Sequence, residues 1–220
     1  MLTKRNALLL LGAGFVGGGA YTLIRSDGDA PAASIDLGAA HAQGAAEIDD
    51  ITLGDPSAPV TVVEYASYTC PHCANFHNDT FKDFRREYID TGKVHFIYRE
   101  VFFDRPGLWA SMVARCAGAD RYHGVSELLY RQQAEWARQP DPVSIVASLK
   151  KIGAQAGLSG EELDACLQDG EQAQSLVAWY QANAERDNIR STPSFLINGE
   201  LHAGNMSLSR LGQLVDDAAG

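Results

Sequence analysis

Cys70 and Cys73 stand three residues apart, with Pro71 and His72 between them. Two thiols at this spacing can close a small disulfide and pass it on by exchange, in which a thiolate attacks a sulfur of the bond. The flanking residues decide whether the pair is suited to that. Pro59-Val60-Thr61-Val62-Val63-Glu64-Tyr65 is an apolar, β-branched run upstream, and Phe76, Phe81, Phe84 and Tyr88 recur downstream at roughly helical spacing. The pair therefore lies where a strand passes into a helix, the context of a redox centre. A sulfur at a helix N-terminus faces unpaired backbone N–H groups and the positive end of the macrodipole, and both favour the thiolate. Pro71 suits the first helical position, where an N–H would have no partner inside the helix. A protonated His72 adds positive charge. Cys70 is expected to be the exposed nucleophile, and Cys73, one turn deeper, the shielded resolving thiol. A stabilised Cys70 thiolate favours the reduced pair, so the disulfide is expected to be given away readily.

Two other readings of the pair compete. A zinc site usually needs four Cys or His ligands, often as two C-x-x-C pairs, but the remaining cysteines, Cys116 and Cys166, each stand alone. A purely structural short disulfide is disfavoured by the proline, the helix start and the preceding core strand. No metal and no organic cofactor is expected. Glu64 is the oddity of the strand: a carboxylate among apolar residues, six before Cys70, is costly without a partner or a task. It either faces solvent or is a buried proton acceptor near Cys73 with a raised pKa. His77, alone on the following helix, is assigned a surface position and no role.

The elements that must position these groups follow from periodicity. Val94-His95-Phe96-Ile97-Tyr98-Arg99 alternates and predicts a second core strand, parallel to the first and reached through the helix that Thr91-Gly92 ends. Ile51-Thr52-Leu53 predicts a short edge strand. Residues 106 to 189 predict a run of five helices. The first carries Trp109, Met112, Val113 and Cys116; the second carries Leu128, Leu129 and Trp136. After Pro140-Asp141-Pro142 a third carries Val146, Leu149 and Ile152. Ser159-Gly160-Glu161-Glu162 is a capping box before the fourth, which carries Leu163 and Cys166. Ala173 to Arg186 gives the fifth. Thr192-Pro193 then heads a β-rich run, Ser194-Phe195-Leu196-Ile197, an unusual place for proline in a core strand. Asn198-Gly199 is a two-residue hairpin turn, Glu200 to Ala203 the return strand, and Leu208, Leu211, Leu214 and Val215 mark a closing helix. Cys116 and Cys166, both expected mid-helix, make either a structural disulfide, as an even cysteine count in an exported chain suggests, or two separate buried thiols.

The run Val62-Val63-Glu64-Tyr65-Ala66-Ser67-Tyr68-Thr69-Cys70-Pro71-His72-Cys73, with Ser191-Thr192-Pro193-Ser194-Phe195-Leu196-Ile197-Asn198-Gly199 downstream, resembles the DsbA-like thiol:disulfide oxidoreductases of the thioredoxin superfamily over about residues 47 to 220. The resemblance implies an α/β thioredoxin-like fold with an inserted helical subdomain. It favours the buried, acidic reading of Glu64. It implies a cis Pro193 facing the cysteine pair, and a Thr192 backbone that an incoming extended polypeptide pairs with like an added strand. It also implies reoxidation by a membrane quinone-linked oxidase of the DsbB type. It says little about Cys116 and Cys166, because many relatives lack that pair.

The chain has 220 residues, 45% of them hydrophobic, with a formal net charge of -10. That suits one domain with an insertion. The acidic balance and the absence of a long basic stretch exclude nucleic acid as a partner. Residues 1 to 25 form a targeting segment: Lys4 and Arg5, an apolar stretch from Ala7 to Val16, then Gly17-Gly18-Gly19-Ala20. It is either a cleaved signal peptide or an N-terminal membrane anchor; both carry the body across the membrane. Residues 26 to 47, rich in Ala, Gly, Asp, Ser and Pro, predict a flexible tether, and the folded domain is expected over 48 to 220. The expected function is a periplasmic donor of disulfides to unfolded or reduced exported proteins. The rivals are an isomerase or reductase using the same dithiol, and a non-catalytic, chaperone-like binder of exported chains.

Overall fold

The computed structural model describes residues 47–220. The signal or anchor expected in residues 1 to 25, and the tether expected at 26 to 47 apart from Glu47, lie outside the described residues.

Among the described residues, β1 (Ile51–Leu53), β2 (Val60–Ala66), β3 (Val94–Glu100), β4 (Ser194–Ile197) and β5 (Glu200–Ala203) form one sheet in the order β1-β3-β2-β4-β5. β2 is central and buried at every position except Thr61, as a strand covered on both faces must be. It runs parallel to β3, with Glu64 opposite Tyr98, and antiparallel to β4, with Glu64 opposite Phe195. In the β4–β5 turn both Asn198 and Gly199 have positive φ, as a two-residue hairpin of this type requires. Asn198 Oδ1 accepts from the Thr61 backbone N–H at 2.8 Å and so ties the turn to β2.

Helix α1 follows β2 over residues 71–89. It is α-helical at Pro71–Phe76 and Lys82–Phe84 and wound in wider π turns at His77–Phe81 and Arg85–Ile89. The wider turns change which residues face inward. Phe76, Thr80, Phe84 and Ile89 are buried, whereas Phe81 and Tyr88 only pack against the core from its margin.

The helical insertion comprises α2 (Arg105–Cys116), α3 (Ala119–Arg131), α4 (Gln133–Trp136), α5 (Pro142–Gln155), α6 (Gly160–Gln168) and α7 (Gly170–Arg186); α8 (Leu208–Ala219) closes the described chain. Side-chain caps set the starts: Asp104 on α2, Asp141 on α5, Asp169 on α7 and Ser207 on α8 each accept a backbone N–H. The Ser159–Glu162 box on α6 has both reciprocal bonds. The run expected to carry Leu128 and Trp136 on one helix is instead two, because Gln132 leaves helical geometry between α3 and α4. Trp136 is folded back into the core, its Nε1–H donating to the Leu129 carbonyl.

The main core is shared by sheet and insertion, from Val60 and Phe96 through Leu129 and Trp136 to Leu149 and Leu163. Cys116 and Cys166 are joined in a disulfide with a Cα–Cα distance of 6.1 Å. Cys116 is the last residue of α2, not a mid-helix position.

Candidate active site

Cys70 is the N-cap residue of α1, with extended backbone and Pro71 at the first helical position. Its sulfur therefore lies at the open end of the helix. The Cys73 thiol, donating to that sulfur, pulls the Cys70 thiol down to about 5; burial opposes this, and donors from Thr192 and the backbone N–H groups of Cys73 and His72 assist. The Cys70 residue is only 9% exposed, so the nucleophile is less open than the sequence suggests. The His72 side chain is exposed; its backbone N–H is what reaches the sulfur.

Cys73 is fully buried. Burial pushes its thiol far above the usual range, and the Cys70 sulfur and the Glu64 carboxylate push it further. The two thiols are thus shifted in opposite directions, which gives one an anion to attack with and keeps the other protonated.

Glu64 is also fully buried and does not face solvent. Its two carboxylate oxygens lie 3.0 and 3.1 Å from His77 Nε2. The surface position assigned to His77 is therefore wrong: its side chain is only 7% exposed. Its ring stacks on Tyr130, with centroids 4.2 Å apart and planes 10° from parallel. His77 lies four residues beyond Cys73, the spacing that puts two side chains on one helix face. That spacing was available in the sequence.

The Thr192–Pro193 bond is cis. The Cys70 thiol donates to the Thr192 carbonyl at 3.4 Å, so the two loops meet at the reactive sulfur. That bond serves the neutral thiol only. Thr192 Oγ1 is buried without a hydrogen-bond partner among the described residues, and a side-chain hydrogen bond from Thr192 helps hold the Cys70 thiol down. A further residue escaped the sequence reading: Gln133 Nε2, from α4, donates to the carbonyls of Tyr68 and Cys70 at 2.8 and 2.9 Å and clamps the turn before α1. Cys116 and Cys166 lie in the insertion, bonded to each other and not to the reactive pair.

A family model described as Thioredoxin matches residues 46–217. The chain belongs to the thioredoxin superfamily, among its DsbA-like members. It is similar to a Rickettsia conorii chain named as a protein-disulfide oxidoreductase, with 33% identity over 77% of this chain and 60% of that one. It spans, then, about 60% of the length of that relative. Disulfide bond formation protein D of Bacillus subtilis is 29% identical over 68% of each chain. Among solved structures, Wolbachia pipientis alpha-DsbA1 superposes with a TM-score of 0.73 and 28% identity, covering 79% of this chain and 92% of that one. In this DsbA-like chain the fold brings Cys70, Cys73, Glu64, Thr192 and Pro193 to one end of β2, and adds His77 and Gln133 to them.

Proposed function

We propose that this protein donates the Cys70–Cys73 disulfide to unfolded or reduced exported proteins in the periplasm. A substrate thiolate attacks Cys70 Sγ, the bond to Cys73 breaks, and a mixed disulfide forms through Cys70. A second substrate thiolate resolves it, releasing oxidised substrate and the reduced pair. The Thr192-Pro193 segment receives the substrate as an extended strand beside the sulfur. A membrane oxidase of the DsbB type restores the disulfide.

One observation carries this reading: Cys70 is drawn down to about 5 while its neighbour Cys73 is driven up. A stabilised thiolate makes the reduced pair the favoured form and the disulfide a strong donor. The test is the equilibrium of the pair against a glutathione buffer, together with a Cys73→Ala variant whose Cys70 is first converted to its mixed disulfide with glutathione and then exposed to a reduced client protein, which displaces the glutathione thiolate. A pair that is easily reduced, and a trapped mixed disulfide through Cys70, are expected. A pair that resists reduction, or one that repairs scrambled disulfides faster than it oxidises reduced chains, overturns the donor assignment in favour of a reductase or an isomerase.

A further inference from the structure

We propose that His77, seated on Glu64 and open to a cavity between α1 and α3, delivers from solvent the proton that Cys73 takes up when its disulfide opens. The proposal rests on the reading that the Cys70–Cys73 pair undergoes exchange.

The need arises at the leaving sulfur. A disulfide opens more slowly as the departing thiol becomes a weaker acid. Cys73 is fully buried, and its thiolate is opposed by burial and by Glu64. Leaving as a bare anion is therefore unfavourable, and a proton has to reach a sulfur that water does not touch. Glu64 is equally inaccessible. His77 is the member of this group that reaches solvent, through a cavity of about 490 Å³.

The geometry joins His77 to Cys73 along the helix and to Glu64 across from it. The His77 backbone N–H donates to the Cys73 carbonyl, so their side chains sit one α-helical turn apart on the same face. His77 Nε2 contacts both oxygens of Glu64. The imidazole is held by Tyr130 stacked on it and by Tyr98 at its edge. Those two phenols bond to each other at 2.6 Å, and burial keeps both far from ionising, so neither competes for the proton.

The charges around the cavity leave His77 in this role. His123, on α3, is pushed down to about 4 by burial, with Arg85 adding to the effect, and so stays uncharged near neutral pH. Arg85 pairs with Asp90 and Arg131 with Glu127, while Arg86 is engaged by Asp83 and Glu87. Lys82 is the remaining cation on the wall. Histidine is the side-chain type that exchanges a proton between about pH 5 and 8.

The step balances as follows. The substrate thiolate bonds to Cys70 Sγ, and the electron pair of the broken S–S bond goes to Cys73 Sγ. His77 gives its proton to the Glu64 carboxylate, which passes it on to Cys73 Sγ, and water in the cavity reprotonates the imidazole. Reoxidation runs the same path outward. His77 is a positioning and relay residue acting through Glu64.

The test is single-turnover opening of the disulfide by excess dithiothreitol between about pH 5 and 8, with rates corrected for the thiolate fraction of the reagent. In the unaltered protein the corrected rate is expected to fall as pH rises across this range. His77→Gln, which keeps an amide against Glu64, should be slower by roughly tenfold or more and should lose that fall. His77→Ala should recover its rate with added imidazole, in proportion to imidazolium. A corrected rate independent of pH in the unaltered protein, a His77→Gln profile matching it, or no imidazole rescue of a folded His77→Ala overturns the proposal. Should His77→Ala not fold, the other two measurements decide. Failure of the exchange reading itself would look different: the unaltered disulfide would not open, and Cys73→Ala would trap no mixed species.

Discussion

The two carboxylate oxygens of Glu100 each accept a 2.7 Å hydrogen bond from the Arg115 guanidinium, joining the last residue of β3 to the last turn of α2. Both side chains are buried, at 1% and 9% exposure. Tyr122 donates to the same carboxylate, and Tyr68, two residues before Cys70, donates to Tyr122. One ion pair thus anchors the helical insertion to the sheet and, through two phenols, to the loop that carries the reactive sulfur. Burial alone would weaken the Arg115 charge; Glu100 more than restores it.

Arg115→Leu should therefore leave a buried carboxylate without its counterion, at a cost of about 3–5 kcal/mol. Urea unfolding of the disulfide-intact protein measures it. The double change Arg115→Leu, Glu100→Leu should cost clearly less than the sum of the two single changes, since it removes the orphaned charge as well as the pair.

Alkylation of the reduced protein should report the Cys70 shift directly. Its rate with iodoacetamide is expected to rise through about pH 5 and then level, instead of rising through the ordinary thiol range near about 8.5. Stability follows with a definite sign. Cys70 is an acid whose folded pKa lies below its unfolded value, so its contribution is full above about pH 8.5 and is lost as pH falls to about 5. Cys73 is shifted upward and works against the reduced fold at alkaline pH. Unfolding of the reduced protein and of Cys70→Ser should differ more at pH 8 than at pH 4.

Gly153→Ala tests the packing of α5. A Cβ there would lie 2.5 Å from Leu163 Cδ2 and 3.3 Å from Val113 Cγ1, and both neighbours are buried. Both side chains would have to shift within the core to admit it. A loss of about 1–3 kcal/mol is expected, read as a lower midpoint in urea with alkylation of Cys70 unchanged.

Opening the second disulfide should separate stability from chemistry. Cys116→Ser with Cys166→Ser releases a crosslink spanning 50 residues, with a loss of about 2–4 kcal/mol. The pH profile of Cys70 alkylation should not move.

The elements were legible where the signal is local. β2 and β3 announce themselves by β-branched runs, the hairpin by Asn198-Gly199, and α6 by Ser159 and Glu162 three apart. Cys70 and Cys73 were legible for the same reason, since helix start, proline and spacing lie within four residues. His77 was not, because its meaning comes from Glu64, 13 residues away on another element, and from a ring in α3. Gln133 and Arg115 escaped for the same cause: each acts on a partner in a different element. The apolar run of α1 was legible as helical, with Phe76 and Phe84 in the core and Phe81 and Tyr88 packed against it; its π turns were not, because a 3.6-residue period does not reveal them.

The Thr192 wall of the site has a consequence for biosynthesis. Cys70 and Thr192 lie 122 residues apart in sequence, and β2 gains its β4 neighbour only from beyond the entire insertion. A nascent chain leaving the ribosome thus displays both thiols long before it owns the loop that contributes a donor to Cys70. The setting of Cys70 is completed only when the segment carrying Thr192 and β4 has emerged and docked.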